Sequence, residues 1–226
     1  HRWWYRQEAA VERPWALAGV PLDATPEMMQ FVSDIREALR KLTPVARMKW
    51  RAGTVNVYSD GSSVGEGVMG SAAVAIDIEG CVVKAVLRLA NFDKPLSSNR
   101  AEWVGAAMAV IAATLAGIAA RIELRLDNLN VVKTVNEFEV LAADTREWMR
   151  VEDRDIAELF AQWRNERIRR GDGDVEVIHQ LGHPERRKKR SEYDEHDIMN
   201  TVVDEMTHSF NNSQLLHAGF KRPDEG

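Results

Sequence analysis

From Thr54 onward the apolar pattern changes period in a set order, and that order restricts the fold more than any other feature. Thr54 to Asp60 alternates Val55, Val57 and Ser59 against Asn56 and Tyr58, the two-residue repeat of a strand. Gly67 to Ile78 and Cys81 to Leu89 are Val- and Ala-rich runs joined at Glu79-Gly80, a hairpin signal. A long Ala-rich helix follows over about Asn99 to Ala119, then a short strand from Ile122 to Leu126. Helical stretches fill Asn128 to Arg170, a last strand covers Val175 to Ile178, and a final helix runs from about His196 to Phe210. Three strands, helix, strand, helices, strand, helix: this order predicts an α/β domain with a mixed five-stranded sheet flanked by helices.

Residues 1–50 read as a separate segment, an N-terminal helical arm or the tail of an upstream domain. Trp3, Trp4, Tyr5 and Trp15 lie in a Pro-punctuated stretch, and a helix pattern follows from about Thr25 to Leu42. Met28, Phe31, Val32, Ile35 and Leu39 recur there at helical spacing, Thr25-Pro26 is a good start, and Pro44 a stop. The α/β domain is expected over 54–210, with 211–226 a polar, flexible tail. Because the chain begins with His1, it is read as a processed product or a piece of something longer.

With 226 residues, 45% of them apolar, the chain can bury one sizeable core. No apolar run approaches the roughly 20 residues that span a bilayer, so no membrane partner is expected. Cys81 is the single cysteine, which excludes internal disulfides and multi-cysteine zinc sites and points to an intracellular, reducing compartment. The net charge of −5 argues mildly against a protein that coats nucleic acid. Two local clusters are nonetheless strongly basic: Arg164, Arg167, Arg169 and Arg170, and the run Arg186 to Arg190. The second could grip phosphate or be a solvated loop.

Four acidic residues stand out along these elements. Asp60 closes the first strand within Tyr58-Ser59-Asp60-Gly61-Ser62, where Asp-Gly also suits a plain turn. Glu102 lies in the first turn of the Ala-rich helix, where Asn99 as N-cap would make it part of a near capping box. Asp127 ends the fourth strand and could cap the helix that follows. Asp204 sits in the last helix among Ile198, Val202, Met206 and Phe210, on one face with Asn200 and His208. Each has an ordinary structural role available. Their joint arrangement is less ordinary: close carboxylates repel and raise one another's pKa unless cations are present. Hard oxygen ligands of this kind select Mg²⁺, with Mn²⁺ able to substitute, and two such ions can clamp an in-line phosphodiester displacement.

The region from about Thr54 to Ser209 resembles the type 1 ribonuclease H domain in element order and in four motifs. These are Val57-Tyr58-Ser59-Asp60-Gly61-Ser62, Asn99-Arg100-Ala101-Glu102, Leu126-Asp127-Asn128 where the family usually has Asp-Ser, and Asn200-Thr201-Val202-Val203-Asp204. The resemblance implies a ribonuclease H-like fold, hydrolysis of the RNA strand of an RNA–DNA hybrid, and two Mg²⁺ ions held by Asp60, Glu102, Asp127 and Asp204. It also implies a mobile histidine on the loop after the last strand. Gly182-His183-Pro184 resembles that turn, with His179 the competing candidate, although the run from His183 to Asn200 is longer than usual. Ser62, Ser98, Asn99 and Asn128 match positions where the family meets the hybrid's minor groove, where the 2′-hydroxyl tells RNA from DNA.

The segment Thr145 to Arg170, with Trp148 and Trp163, occupies the place of the family's substrate-binding helices. Glu147, Glu152, Asp153, Asp155 and Glu158 interleave there, so weak hybrid binding is expected of this domain alone. Weak grip and an aromatic arm in front suit a module of a reverse transcriptase polyprotein whose polymerase domain is its partner; a free-standing cellular enzyme is the runner-up. A catalytically silent scaffold or nucleic-acid-binding module of the same fold is the rival from another class, and it would be marked by a lost carboxylate. An integrase-like or exonuclease-like relative is disfavoured by Asp-Gly-Ser, Asn-Arg-x-Glu and Asn-x-x-x-Asp together.

Overall fold

The computed structural model describes residues 26–41, 53–64, 69–78, 81–89, 96–138 and 148–217. Trp3, Trp4, Tyr5, Trp15 and Pro44 lie outside them, as does the chain after His217. In order the elements are α1 (Pro26–Lys41), β1 (Thr54–Val64), β2 (Met69–Ile78), β3 (Cys81–Leu89), α2 (Ser98–Leu115), β4 (Arg121–Leu126), α3 (Leu129–Asn136), α4 (Arg154–Arg169), β5 (Val175–His179) and α5 (Glu195–His217). Two 3₁₀ turns, Pro184–Arg186 and Arg190–Glu192, lead from β5 to α5. The strands form one sheet in the order β3-β2-β1-β4-β5. β1, β2 and β3 pair antiparallel, whereas β4 and β5 run parallel to β1. This is the mixed five-stranded sheet expected from the element order. No helix among the described residues is long and apolar enough to cross a membrane.

Alternation along β1 and β2 divides the core between the two faces of the sheet. Val55, Val57, Ala72, Val74 and Ile76 join the large cluster with α1, α2 and α4. Tyr58, Ala73 and Ala75 face the other way and pack with Met199 and Val203 of α5. Helix α2 is buried along nearly its whole length, from Arg100 to Thr114 with only Glu102 partly exposed. Its alanines let the sheet, α1 and α4 approach from several sides, so it is apolar all round rather than amphipathic. Residues Met28, Phe31, Val32 and Ile35 of α1 are buried in the same cluster, against α2 and β3. The helical part of the N-terminal arm thus shares the domain's core.

Several sequence expectations change. β1 does not end at Asp60: it continues through Gly61 and Ser62 to Val64, with Asp60 opposite Ala73 and Gly61 opposite Ala72. Pairing with β2 outweighs the local turn preference of Asp-Gly. Helix α2 starts one residue earlier, with Ser97 as N-cap accepting from the Arg100 amide at 3.0 Å. Neither Asn99 nor Glu102 therefore forms a capping box. Asn128, not Asp127, caps α3. The last helix reaches His217, so residues 211–217, read as tail, are helical, and Asn211 is buried.

Trp148 and Trp163, placed by sequence among substrate-binding helices, are core residues. Trp103 of α2 stacks on Phe138 with ring centroids 6.1 Å apart, and Phe138 meets Trp148 edge-on at 5.6 Å. The Trp148 indole N–H donates to Glu158 Oε1 at 3.1 Å, satisfying a donor that burial would otherwise orphan.

Candidate active site

The sheet register brings two of the four carboxylates together. β1 and β4 stay paired only as far as Tyr58 opposite Arg125. Two residues further on in β1 stands Asp60, and two residues beyond Arg125, just past the end of β4, stands Asp127, so both lie where the two strands part. Glu102 arrives from above this gap because glycine permits a backbone-to-backbone approach. A Cβ on Gly61 would lie 1.9 Å from the Ala101 carbonyl oxygen, and one on Gly105 would lie 2.8 Å from that of Asp60. Any side chain at Gly61 would push α2, and Glu102 with it, off the strand.

One carboxylate oxygen from each of Asp60, Glu102 and Asp127 lies within 4.8 Å of the others. Asp204 of α5 is outside that set but close enough for its charge to act on all three. Its Oδ1 lies 3.2 Å from His208 Nε2, one turn along the helix. Burial pushes the Asp60 carboxyl up to about 6; a Thr207 hydrogen bond opposes this, and the charges of Asp127 and Asp204 add to it. Burial also drives Glu102 well above the usual carboxylate range, helped by Asp60 and Asp127 and opposed by a backbone hydrogen bond from Gly61. Asp127 is raised by burial against the counter-effect of His183, with Asp204 adding to the rise.

Glu102 Oε2 is buried and has no hydrogen-bond partner among the described residues. A buried carboxylate oxygen without a donor is costly, and a hard cation would remove that cost. The donor set fits divalent metal: oxygen ligands only, converging, and mutually repulsive without one.

The loop after β5 closes the site from the Asp127 side. His179 is paired opposite Leu126, and its Nε2 lies 3.1 Å from the Asp127 carbonyl oxygen. A Cβ on Gly182 would lie 2.3 Å from Asp127 Oδ2, so this glycine is what lets the loop settle on the carboxylate. His183 follows in the left-handed region at φ 51°, exposed, with Nδ1 3.2 Å from Glu185 Oε1. His179 thus bonds to backbone, whereas the exposed His183 meets a side chain of its own loop, Glu185.

The expected groove residues are split. Ser62 is half-buried on β1 opposite Ser71, and Ser98 is exposed at the start of α2. Asn99 and Asn128 are already engaged. Asn99 Nδ2 donates to Asp153 Oδ2 at 3.1 Å, and Asn128 Oδ1 accepts the amides of Asn130 and Val131 at 3.0 and 3.1 Å. Their side chains also meet, Asn128 Nδ2 to Asn99 Oδ1 at 3.5 Å. The first basic cluster is drawn into internal contacts and the second in part, with Arg186, Lys189 and Arg190 exposed. Arg164 pairs with Asp174, Arg169 and Arg170 with Glu166, and buried Arg167 donates to the carbonyls of Ala120 and Gly173. In the second run, Arg187 donates to the carbonyls of Leu181 and Gly182, and Lys188 to Asp197.

Sequence reasoning missed Thr207, whose hydroxyl donates to Asp60 Oδ2. Its place three residues after Asp204 on a helix was the available signal. The close approaches at Gly61 and Gly105 were missed as well, and a lone glycine in a strand or helix carries no mark of what it faces.

No family model matches the chain, and a search of curated proteins finds no match. Solved structures do overlap it. RNase H1 from the halophilic archaeon Halobacterium salinarum is 25% identical, over 57% of this chain and 86% of that one, with a TM-score of 0.42. The N-terminal RNase H domain of a Mycobacterium tuberculosis protein is 14% identical, over 74% and 99% of the two chains, with a TM-score of 0.46. Prototype foamy virus protease-reverse transcriptase is 15% identical, over 69% of this chain and 20% of that one, with a TM-score of 0.48. The strand order β3-β2-β1-β4-β5, in a mixed sheet flanked by helices, gives the described residues a ribonuclease H-like fold.

Proposed function

We propose that this chain is a metal-dependent endoribonuclease that hydrolyses the RNA strand of RNA–DNA hybrids. The observation that carries the reading is the convergence of buried Asp60 with half-buried Glu102 and Asp127, with Asp204 beside them and an orphaned Glu102 oxygen among them. Asp60, Glu102, Asp127 and Asp204 would hold two Mg²⁺ ions, with Mn²⁺ able to substitute. When bound, such ions lower the pKa of a water for attack on the phosphate and stabilise the leaving 3′ oxygen.

The chain's own contribution is to preorganise that centre. Asp60 is held within the sheet and Asp127 directly follows β4, so their spacing is set by strand ends rather than by a long loop. Glu102 is carried in by α2 and kept there by the Gly61 and Gly105 contacts. His183, exposed and beside Asp127, is placed to move a proton or help product leave. His179, bonded to the Asp127 carbonyl, fixes the end of β4. Ser62 and Ser98 offer polar groups toward the hybrid's minor groove, and the Asn99–Asn128 pair braces the floor beside them. The domain is read as 54–210 extended by the rest of α5, with the α1 helix of the arm as an integral flank.

Intramolecular pairing of the α4 arginines leaves this face little uncompensated charge for phosphate. That supports a module whose grip on the hybrid comes from a partner, such as the polymerase domain of a reverse transcriptase. The test is cleavage of a labelled RNA–DNA hybrid with Mg²⁺ or Mn²⁺, beside single-stranded RNA and duplex DNA, for wild type and Asp60→Asn. Hybrid-only cutting that the variant lacks is the expected result. A wild type that binds hybrid and cuts nothing under either metal overturns the nuclease reading.

A further inference from the structure

Thr207 is a fully buried threonine of α5, three residues beyond Asp204. Threonine inside a helix commonly turns its hydroxyl back to a carbonyl of the preceding turn, and Thr207 Oγ1 does lie 2.9 Å from the Asp204 carbonyl oxygen. The same hydroxyl also meets Asp60 Oδ2, across the interface between α5 and β1. Its proton therefore has two acceptors, and an ionised carboxylate is the stronger one. A further bond anchors the arrangement: the Thr207 carbonyl accepts from Ser71 Oγ of β2 at 3.1 Å, and Ser71 is itself fully buried. The peptide of Thr207 is thus tied to β2 while its side chain is tied to β1.

We propose that Thr207 is a positioning residue for the metal centre: it fixes the plane of the Asp60 carboxylate by one oxygen, so that the group does not rotate when cations arrive. The inference rests on the metal-binding reading of the carboxylates. Three features separate it from ordinary helix chemistry. The acceptor belongs to a different element, it is one of the three converging carboxylates, and the residue carrying the hydroxyl has no access to solvent. Side chains that orient ligands typically change metal affinity about 10- to 100-fold when removed.

The experiment is a Mn²⁺ titration of the full chain by calorimetry, paired with thermal melting with and without Mn²⁺. It compares wild type, Thr207→Val, which keeps the shape and removes the hydroxyl, and Thr207→Ser, which restores the hydroxyl. Thr207→Val should bind Mn²⁺ about 10- to 100-fold more weakly and lose most of the Mn²⁺-dependent rise in Tm. Thr207→Ser should stay close to wild type in both. Should Thr207→Val fail to fold, Thr207→Ala removes the same hydroxyl without adding bulk and should give the same loss. Wild-type affinity in the hydroxyl-free variant overturns the inference and leaves the metal site standing. Equal losses in the Val and Ser variants also overturn it, since packing rather than the hydroxyl would then be responsible. A wild type that binds no Mn²⁺ removes the metal-site reading and this inference with it.

Discussion

Arg100 and Glu102 stand two residues apart in the first turns of α2, both drawn into the interior, and they are treated in opposite ways. Arg100 meets Asp153 at 3.0 Å and grips Asp155 with two nitrogens, at 2.9 and 2.6 Å. Burial works against its charge, but the bonds to Asp155 and Asp153 outweigh that and hold its pKa above the usual guanidinium value. Glu102 has other carboxylates as its charged neighbours, and one of its oxygens has no donor. The same helix end therefore carries a compensated charge, which fastens α2 to α4, and an uncompensated one, which destabilises the fold unless something cationic is supplied. Folding alone would not select the second arrangement, and that contrast separates a structural charge from a functional one.

The largest effect should come from removing the uncompensated side. Asp60→Asn is expected to lower hybrid cleavage on the order of 10⁴-fold, about 5.5 kcal/mol in the barrier, in a steady-state assay with Mg²⁺. A variant within tenfold of wild type would sink the assignment of Asp60 to the centre. Next comes the compensated side. Arg100→Leu leaves Asp153 buried without its cation, and should lower the urea-unfolding free energy by about 3–5 kcal/mol. A loss below ~1 kcal/mol would mean that the clamp between α2 and α4 is replaceable.

The sign of a pH experiment sharpens the contrast. The Asp60 carboxyl is raised to about 6, with burial the leading cause, so its protonated form is favoured in the folded, metal-free chain. Stability is therefore fully present below the ordinary carboxylate value and is lost as pH rises through about 6. Metal-free Asp60→Asn should exceed wild type in stability at about pH 8 by roughly 3 kcal/mol, and the two should converge near pH 4. Added Mg²⁺ should narrow the gap at high pH. Denaturant melts across that range, in chelator and in Mg²⁺, decide it; a gap that does not change with pH would remove the electrostatic account. The smallest effect belongs to the exposed pairs of α4. Arg164→Ala, which breaks the contact with Asp174, should cost under ~1 kcal/mol by the same melts.

Legibility in the sequence followed the range of the interaction concerned. The strand alternation before Tyr58, the Ala-rich α2 and the buried face of α1 were all readable, because apolar periodicity reports which face of an element is covered. The boundaries were less so. Asp60-Gly61 reads as a turn in isolation, yet β2 holds it extended opposite Ala73 and Ala72. Residues 211–217 read as a polar tail, yet they continue α5, with Asn211 buried. The tryptophans of α4 and its approach read as a surface for substrate, whereas Trp148 is buried against Phe138, which stacks in turn on Trp103.

By itself, the order of residues determined which elements form and in what succession, and its motifs marked four carboxylates along them, since periodicity and composition act over a few neighbouring residues. Tertiary structure alone decided that Asp60 and Asp127 come together where β1 and β4 separate, and that one Glu102 oxygen has no donor. It likewise decided that the α4 arginines are spent on Asp174, Glu166 and backbone, and that a threonine of the last helix reaches the first strand. Those facts depend on strand register, on glycines thin enough to let backbones touch, and on contacts between residues up to 147 positions apart, none of which a local pattern encodes.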